Sequence, residues 1–199
     1  MVCVGYTERG REGLHSSAVC VSGDGVLGHH RKVHVPPGER ALFSSGQGFS
    51  AFDTPVGRMG MLVCYDKFFP EAARELVHDG AAIVASLAAW PVCRRQPASW
   101  TRRDPQVRHF NLLDQVRALE NRVVWVSANQ SGRLGRLRFP AQAKVVDPEG
   151  RVLATTGARS GTALARVDPR GSADPAREEI SRLGDRRPYA YAPGAPAVA

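Results

Sequence analysis

Lysine is nearly absent from this chain. Of 199 residues only Lys32, Lys67 and Lys144 carry an ammonium, leaving 24 of the 27 basic side chains to arginine. Aromatics are scarce as well, at 7%, and arginines adjoin only in pairs, at Arg94-Arg95, Arg102-Arg103 and Arg186-Arg187. A net charge of +8 spread in this way offers no basic stripe interleaved with stacking rings, so nucleic acid is not an expected partner. The four cysteines, Cys3, Cys20, Cys64 and Cys93, contain no CxxC pair, which excludes a disulfide scaffold and a zinc ribbon. No apolar run approaches the roughly 20 residues of a membrane-spanning helix. The opening stretch has charges at Glu8 and Arg9 where a signal peptide needs an apolar region, so the expectation is a soluble, cytoplasmic protein. Neither GxSxG nor a P-loop occurs. Gly46 to Ala51 fits GxGxxA, but Pro55 forbids the helix a dinucleotide site requires. His29 and His30 are neighbours on an expected strand and point to opposite faces, so with His34 they complete no ligand set, and no metal is expected.

What is present is an α/β alternation. Residues 17–22 and 26–35, joined by Gly23-Asp24-Gly25, read as a hairpin. Residues 49–53 read as a short strand, and residues 59–64 as a strand buried on both faces. Pro70 opens a helix with Phe69, Ala72, Ala73, Leu76 and Val77 on one face, and Gly80 stops it. Residues 81–87 return as a strand, closing a βαβ unit. Asp104-Pro105 caps a second helix, for which Leu112, Leu113, Val116 and Leu119 are the expected buried face. Strands are then expected at residues 122–128, 141–146, 152–156 and 162–167. Residues 2–6 read as a strand fragment with nothing before it, and two long helices are too few to cover two sheet faces. The expected architecture is an α/β sandwich cut at its front.

Three residues stand out. Cys64 ends a buried parallel strand, where open α/β sheets place their working residues. It reads equally as a small buried hydrophobe, as Cys3, Cys20 and Cys93 do. Lys32 interrupts the arginine habit at the end of a hairpin strand; it reads equally as a solvated surface lysine or as a compact ammonium that would favour a thiolate and hold a developing oxyanion. Trp90 ends the strand after the helix and is expected in the core, or alternatively as a pocket wall.

Gly57 to Ala81, containing Val63-Cys64-Tyr65-Asp66-Lys67-Phe68-Phe69-Pro70-Glu71, strongly resembles the nucleophile region of the nitrilase, or carbon–nitrogen hydrolase, superfamily. Gly28 to His34 resembles its lysine motif, followed by Glu39. Arg117 to Asn121, Ser127 to Gly132, Val145 to Gly150 and Arg186 to Tyr189 match in collinear order. The resemblance implies an αββα sandwich of the carbon–nitrogen hydrolase type, lacking its first strands and helix, with the domain over residues 1–191 and a disordered tail over residues 192–199. It implies a cofactor-free hydrolase of an amide, ureido or nitrile substrate acting through a thioester. Cys64 would be the nucleophile, Lys32 and the Tyr65 backbone N–H the oxyanion holders, and Glu39 an orienting carboxylate. The full-length form would be a homodimer or higher homo-oligomer, without nucleic-acid or membrane partners. The family's general-base glutamate precedes everything aligned here, so the alternative is a catalytically dead remnant or a binding protein. Ala141 and Ala143, where relatives usually carry Gly and Ser, and Ser16, where many carry Asn, depart from the pattern.

Overall fold

The computed structural model describes residues 1–95, 98–169 and 183–191. Three strands, β1 (Val2–Gly10), β2 (Gly13–Ser22) and β3 (Gly25–Arg31), form an antiparallel meander. The second sheet has six strands, ordered β11-β10-β7-β6-β5-β4. These are β4 (Phe52–Thr54), β5 (Gly57–Val63), β6 (Ile83–Ala88), β7 (Val124–Asn129), β10 (Lys144–Val146) and β11 (Val152–Thr155). Strands β5, β6 and β7 run parallel. Helix α1 (Pro70–His78) crosses from β5 to β6, and α2 (Pro105–Asn121) from β6 to β7. A small hairpin, β8 (Ser131–Leu134) and β9 (Leu137–Pro140), projects beyond β7.

Period-two alternation builds the layers. Met59, Met61 and Val63 of β5 face the meander and pack with Ala18, Cys20, Ile83, Ala85, Val124 and Val145. Leu62 of β5 faces the helices, with Val84, Trp125 and Val146 packed on Ala72, Ala73, Leu76 and Ala118. Gly60 is tightly placed: a Cβ there would come within 2.7 Å of Leu76, so it lets α1 lie close on the sheet. The described residues therefore make three layers of an αββα sandwich: helix, sheet, sheet. On the outer face of the meander Glu8 accepts from Ser17 Oγ (2.8 Å) and His29 Nε2 (2.9 Å) and pairs with Arg31, tying three strands together.

Three expectations are corrected. The buried face of α2 is Val107, Phe110, Asp114, Arg117, Ala118 and Asn121, whereas Leu112 and Leu119 are exposed. The helix turns its charged residues inward because they find buried partners there. The strand expected from residue 141 begins at Lys144, because Ala141 (φ 60°) and Gln142 (φ 79°) both adopt the left-handed conformation. Alanine costs about 1–2 kcal/mol at such a φ. Residues 162–167 form no strand, though Ala165 and Val167 pack against the inter-sheet core. The expected tail, residues 192–199, lies outside the described residues. No helix among those described is long and apolar enough to cross a membrane.

Candidate active site

Cys64 follows β5 directly and sits at φ 52°, a strained conformation for a residue with a Cβ. That kink turns the chain out of the buried strand into a 3-10 turn, Cys64–Phe68, ahead of α1. The backbone of Ala89, just past the end of β6, lies close enough to the Cys64 sulfur to favour its thiolate. The carboxyl ends of two adjacent parallel strands thus meet at one thiol.

Lys32 arrives from the other sheet. It follows β3, its backbone held by Lys32 N–H to Ser16 O (2.8 Å) and Gly46 N–H to Lys32 O (2.8 Å). Gly46 is needed for this approach, because a Cβ would sit 2.2 Å from the Arg31 carbonyl oxygen. The Lys32 side chain is 2% exposed, and its Nζ donates to Glu39 Oε2 at 2.6 Å. Glu39 is placed by a turn in which its N–H bonds Pro36 O at 2.9 Å.

Asp66, two residues past Cys64, clamps the two arrivals together. Fully buried, it accepts from His30 Nε2 (3.0 Å), His34 Nδ1 (3.0 Å) and the backbone N–H groups of Val33 (3.2 Å), His34 (2.9 Å) and Val63 (3.1 Å). Burial pushes its carboxyl up, but the bonds from His30, His34 and Val63 outweigh this and hold it below the usual carboxylate range. The residues flanking Lys32 are therefore bonded to the turn that begins at Cys64. His29 points the other way, to Glu8.

A second buried network lies behind the turn. Lys67 Nζ donates to Asp114 Oδ1 (2.7 Å), Lys144 Nζ to Asp114 Oδ2 (2.8 Å), and Trp125 Nε1 to Asp114 Oδ1 (2.8 Å). Lys67 also stands 3.0 Å from the centre of the Phe110 ring. Burial pulls Lys67 down to about 8 against the attraction of Asp114. Arg117 donates to the carbonyl oxygens of Lys67 and Phe68, both at 3.0 Å, pinning the turn to α2. Trp90 is buried, stacks on Phe68 (5.2 Å) and donates from Nε1 to Gln106 Oε1 (3.0 Å). Tyr65 packs edge-on to Phe69 at 5.2 Å.

Burial pushes the Cys64 thiol up; Lys32 and then Lys67 pull it back, and Glu39 adds to the rise. The net direction is upward, the reverse of the thiolate expected beside an ammonium, because burial costs the thiolate more than the lysines return. Sequence reasoning singled out Cys64, Lys32, Glu39, Tyr65 and Trp90 but missed Asp66, His30, His34 and Asp114. One signal was available: all three lysines, the rare residue, are buried around this turn or on the network behind it.

A strained thiol at the carboxyl ends of parallel strands is faced by a buried ammonium from a second sheet. The chain belongs to the carbon–nitrogen hydrolase family, whose model matches residues 1–175. It is 32% identical over 153 residues to the nitrilase of Pyrococcus abyssi, covering 76% of this chain and 53% of that protein. The carbon–nitrogen hydrolase of Helicobacter pylori G27 superposes with a TM-score of 0.77 at 26% identity, over 86% of this chain and 62% of the other. A variant of the amidase from Nesterenkonia sp. AN1, showing Michael addition of acrylamide at its active-site cysteine, superposes with a TM-score of 0.68 at 28% identity (80% and 59% covered). The chain spans about half the length of the curated relatives it matches.

Proposed function

We propose that the chain carries the nucleophile side of an amide- or nitrile-hydrolysing site. Cys64 attacks the carbonyl or nitrile carbon once its proton has passed to a carboxylate. Lys32 and the Tyr65 N–H hold the charge that develops on oxygen or nitrogen. From an amide, ammonia or an amine departs and leaves a thioester. From a nitrile, attack gives a thioimidate, to which one water adds before ammonia departs to leave the same thioester. A further water then cleaves the thioester. Glu39 orients Lys32 and is engaged by it at 2.6 Å. The observation that carries this reading is the convergence of a strained Cys64 and a buried Lys32 on one turn, fixed by Asp66. The acrylamide adduct on the cysteine of the Nesterenkonia amidase supports it.

One observation favours a second reading, a binding protein without turnover. Burial favours the Cys64 thiol over the thiolate, and the carboxylate whose charge acts on it, Glu39, is already paired with Lys32. Ammonia release separates the two, measured for the longest in-frame form over a panel of small amides, ureido acids and nitriles. Turnover lost in both Cys64→Ala and Lys32→Arg is the expected result. Ligand binding without ammonia selects the second reading, and turnover indifferent to Cys64→Ala removes the first.

A further inference from the structure

The register of the meander brings together two cysteines that the sequence holds apart. Cys3 of β1 stands directly opposite Cys20 of β2. The kind of pair they make follows from the turn. Gly10 and Gly13 face each other across Arg11 and Glu12 alone, so they are a hydrogen-bonded pair, and the two kinds of pair alternate along an antiparallel ladder. The register runs unbroken from there to Val2 and Val21. Cys3, seven positions back from Gly10, therefore falls at a non-hydrogen-bonded pair with Cys20. At such a pair the α-carbons are about 4.5 Å apart and the side chains lie closest. A disulfide spans about 4.4–6.8 Å between α-carbons, so this register admits one without moving the backbone.

Both side chains leave the same face. Cys20 is fully buried in the core between the sheets, and Cys3 packs against that core; both are free thiols. Burial, with the Cys20 thiol adding to it, pushes Cys3 up to about 12, so near neutral pH the pair rests as two thiols. The two are not equally reachable. Cys3 is half-buried on a strand that pairs with β2 alone among the described residues, whereas Cys20 lies between β1 and β3. A reagent entering from solvent meets Cys3 first.

We propose that Cys3 and Cys20 form a dithiol site that a small organic disulfide oxidises to a cross-strand disulfide, independently of any reaction at Cys64. The Cys3 thiolate attacks one sulfur of the reagent and breaks its S–S bond, and the expelled thiolate takes up the proton that Cys3 gave up. Cys20 then loses its proton and attacks the Cys3 sulfur; the mixed disulfide breaks and a second small thiol leaves. Two protein thiols are oxidised, and one reagent disulfide is reduced to two thiols. The link fastens β1 to its one neighbour among the described residues and closes a loop in the unfolded chain.

Oxidised glutathione and, separately, 2-hydroxyethyl disulfide are incubated with the folded chain at mildly alkaline pH, followed by tryptic mapping without reductant. Cleavage after Arg9, Arg11 and Arg31 puts Cys3 on residues 1–9 and Cys20 on residues 12–31. The expected product is these two peptides joined, two hydrogens lighter than their sum, and separated again by dithiothreitol. The oxidised chain is expected to unfold several degrees above the reduced one. Cys20→Ala is expected to stop at a mixed disulfide on Cys3 that the parent does not accumulate; Cys20→Val reads the same if the smaller side chain does not fold. A mixed disulfide persisting on Cys3 of the parent, a link from either residue to Cys64 or Cys93, or two copies joined through Cys3 would overturn the proposal. So would two free thiols after prolonged treatment, or a closed form that unfolds below the reduced one.

Discussion

At Cys64 opposing electrostatic effects act on one atom. Burial favours the thiol, and two lysines from different directions favour the thiolate. Lys32 is the stronger of the two, so removing its charge with Lys32→Met moves the thiol further up and lowers the thiolate fraction at any given pH. Alkylation of Cys64 by iodoacetamide near neutral pH is expected to slow in that variant. Lys67→Met should slow it less. Peptide mapping after limited labelling reads both. Cys3 supplies an internal reference: burial, reinforced by Cys20 opposite it in the register, pushes its thiol up to about 12. Cys64, beside two lysines that favour its thiolate, should label ahead of Cys3 in the parent chain.

At the scale of elements, α2 shows what a hydrophobic pattern can and cannot disclose. Its start was legible, because Asp104-Pro105 is a cap and first-turn pair and the Asp104 carboxylate does accept from Gln106 N–H. Its face was not legible, since Asp114, Arg117 and Asn121 are buried by partners on distant segments, and Leu112 and Leu119, which seemed to mark the core, lie outside. The β8–β9 hairpin was missed for a related reason: β8 is exposed along its length and rich in Gly and Arg, so it has no alternation to read. By contrast β5, α1 and β6 were readable because both sheet faces and one helix face bury apolar side chains there, as local periodicity requires. Cys64 and Lys32 were found as rare residues at strand ends; Asp66 and Asp114 were hidden because a carboxylate's burial depends on cations far along the chain. The Asp114 network predicts a pH effect. Lys67 titrates near 8 when folded and at 10.5 when free, so between those values the unfolded chain holds the extra proton. Stability attributable to Lys67 should therefore rise with pH from about 8 to 10.5, and Lys67→Met should abolish that rise in urea unfolding. Asp114→Asn, which strands two buried ammonium groups, should cost about 3–5 kcal/mol at neutral pH.

Over the whole molecule the layers are unevenly covered. The six-stranded sheet has helices on one face and the meander on the other, whereas β1 pairs with one strand only among the described residues and leaves Val2, Val4 and Tyr6 exposed. A nine-residue strand with a free edge and exposed apolar side chains invites pairing with another copy. The chain is expected to associate at micromolar concentration, and Val4→Lys to shift it toward the monomer in sedimentation velocity. The net charge of +8 opposes association at low salt, so added salt should strengthen it.

The burial of Lys32, Lys67 and Lys144, at 2%, 0% and 3% exposure, reaches beyond catalysis. A chain that spends all its lysines inside presents no side-chain amine to solvent while it is folded. Lysine-specific proteases and the enzymes that attach acetyl groups or ubiquitin to lysine all need that amine. For each of them the native fold is a closed door, and every modified lysine counts a molecule that has opened.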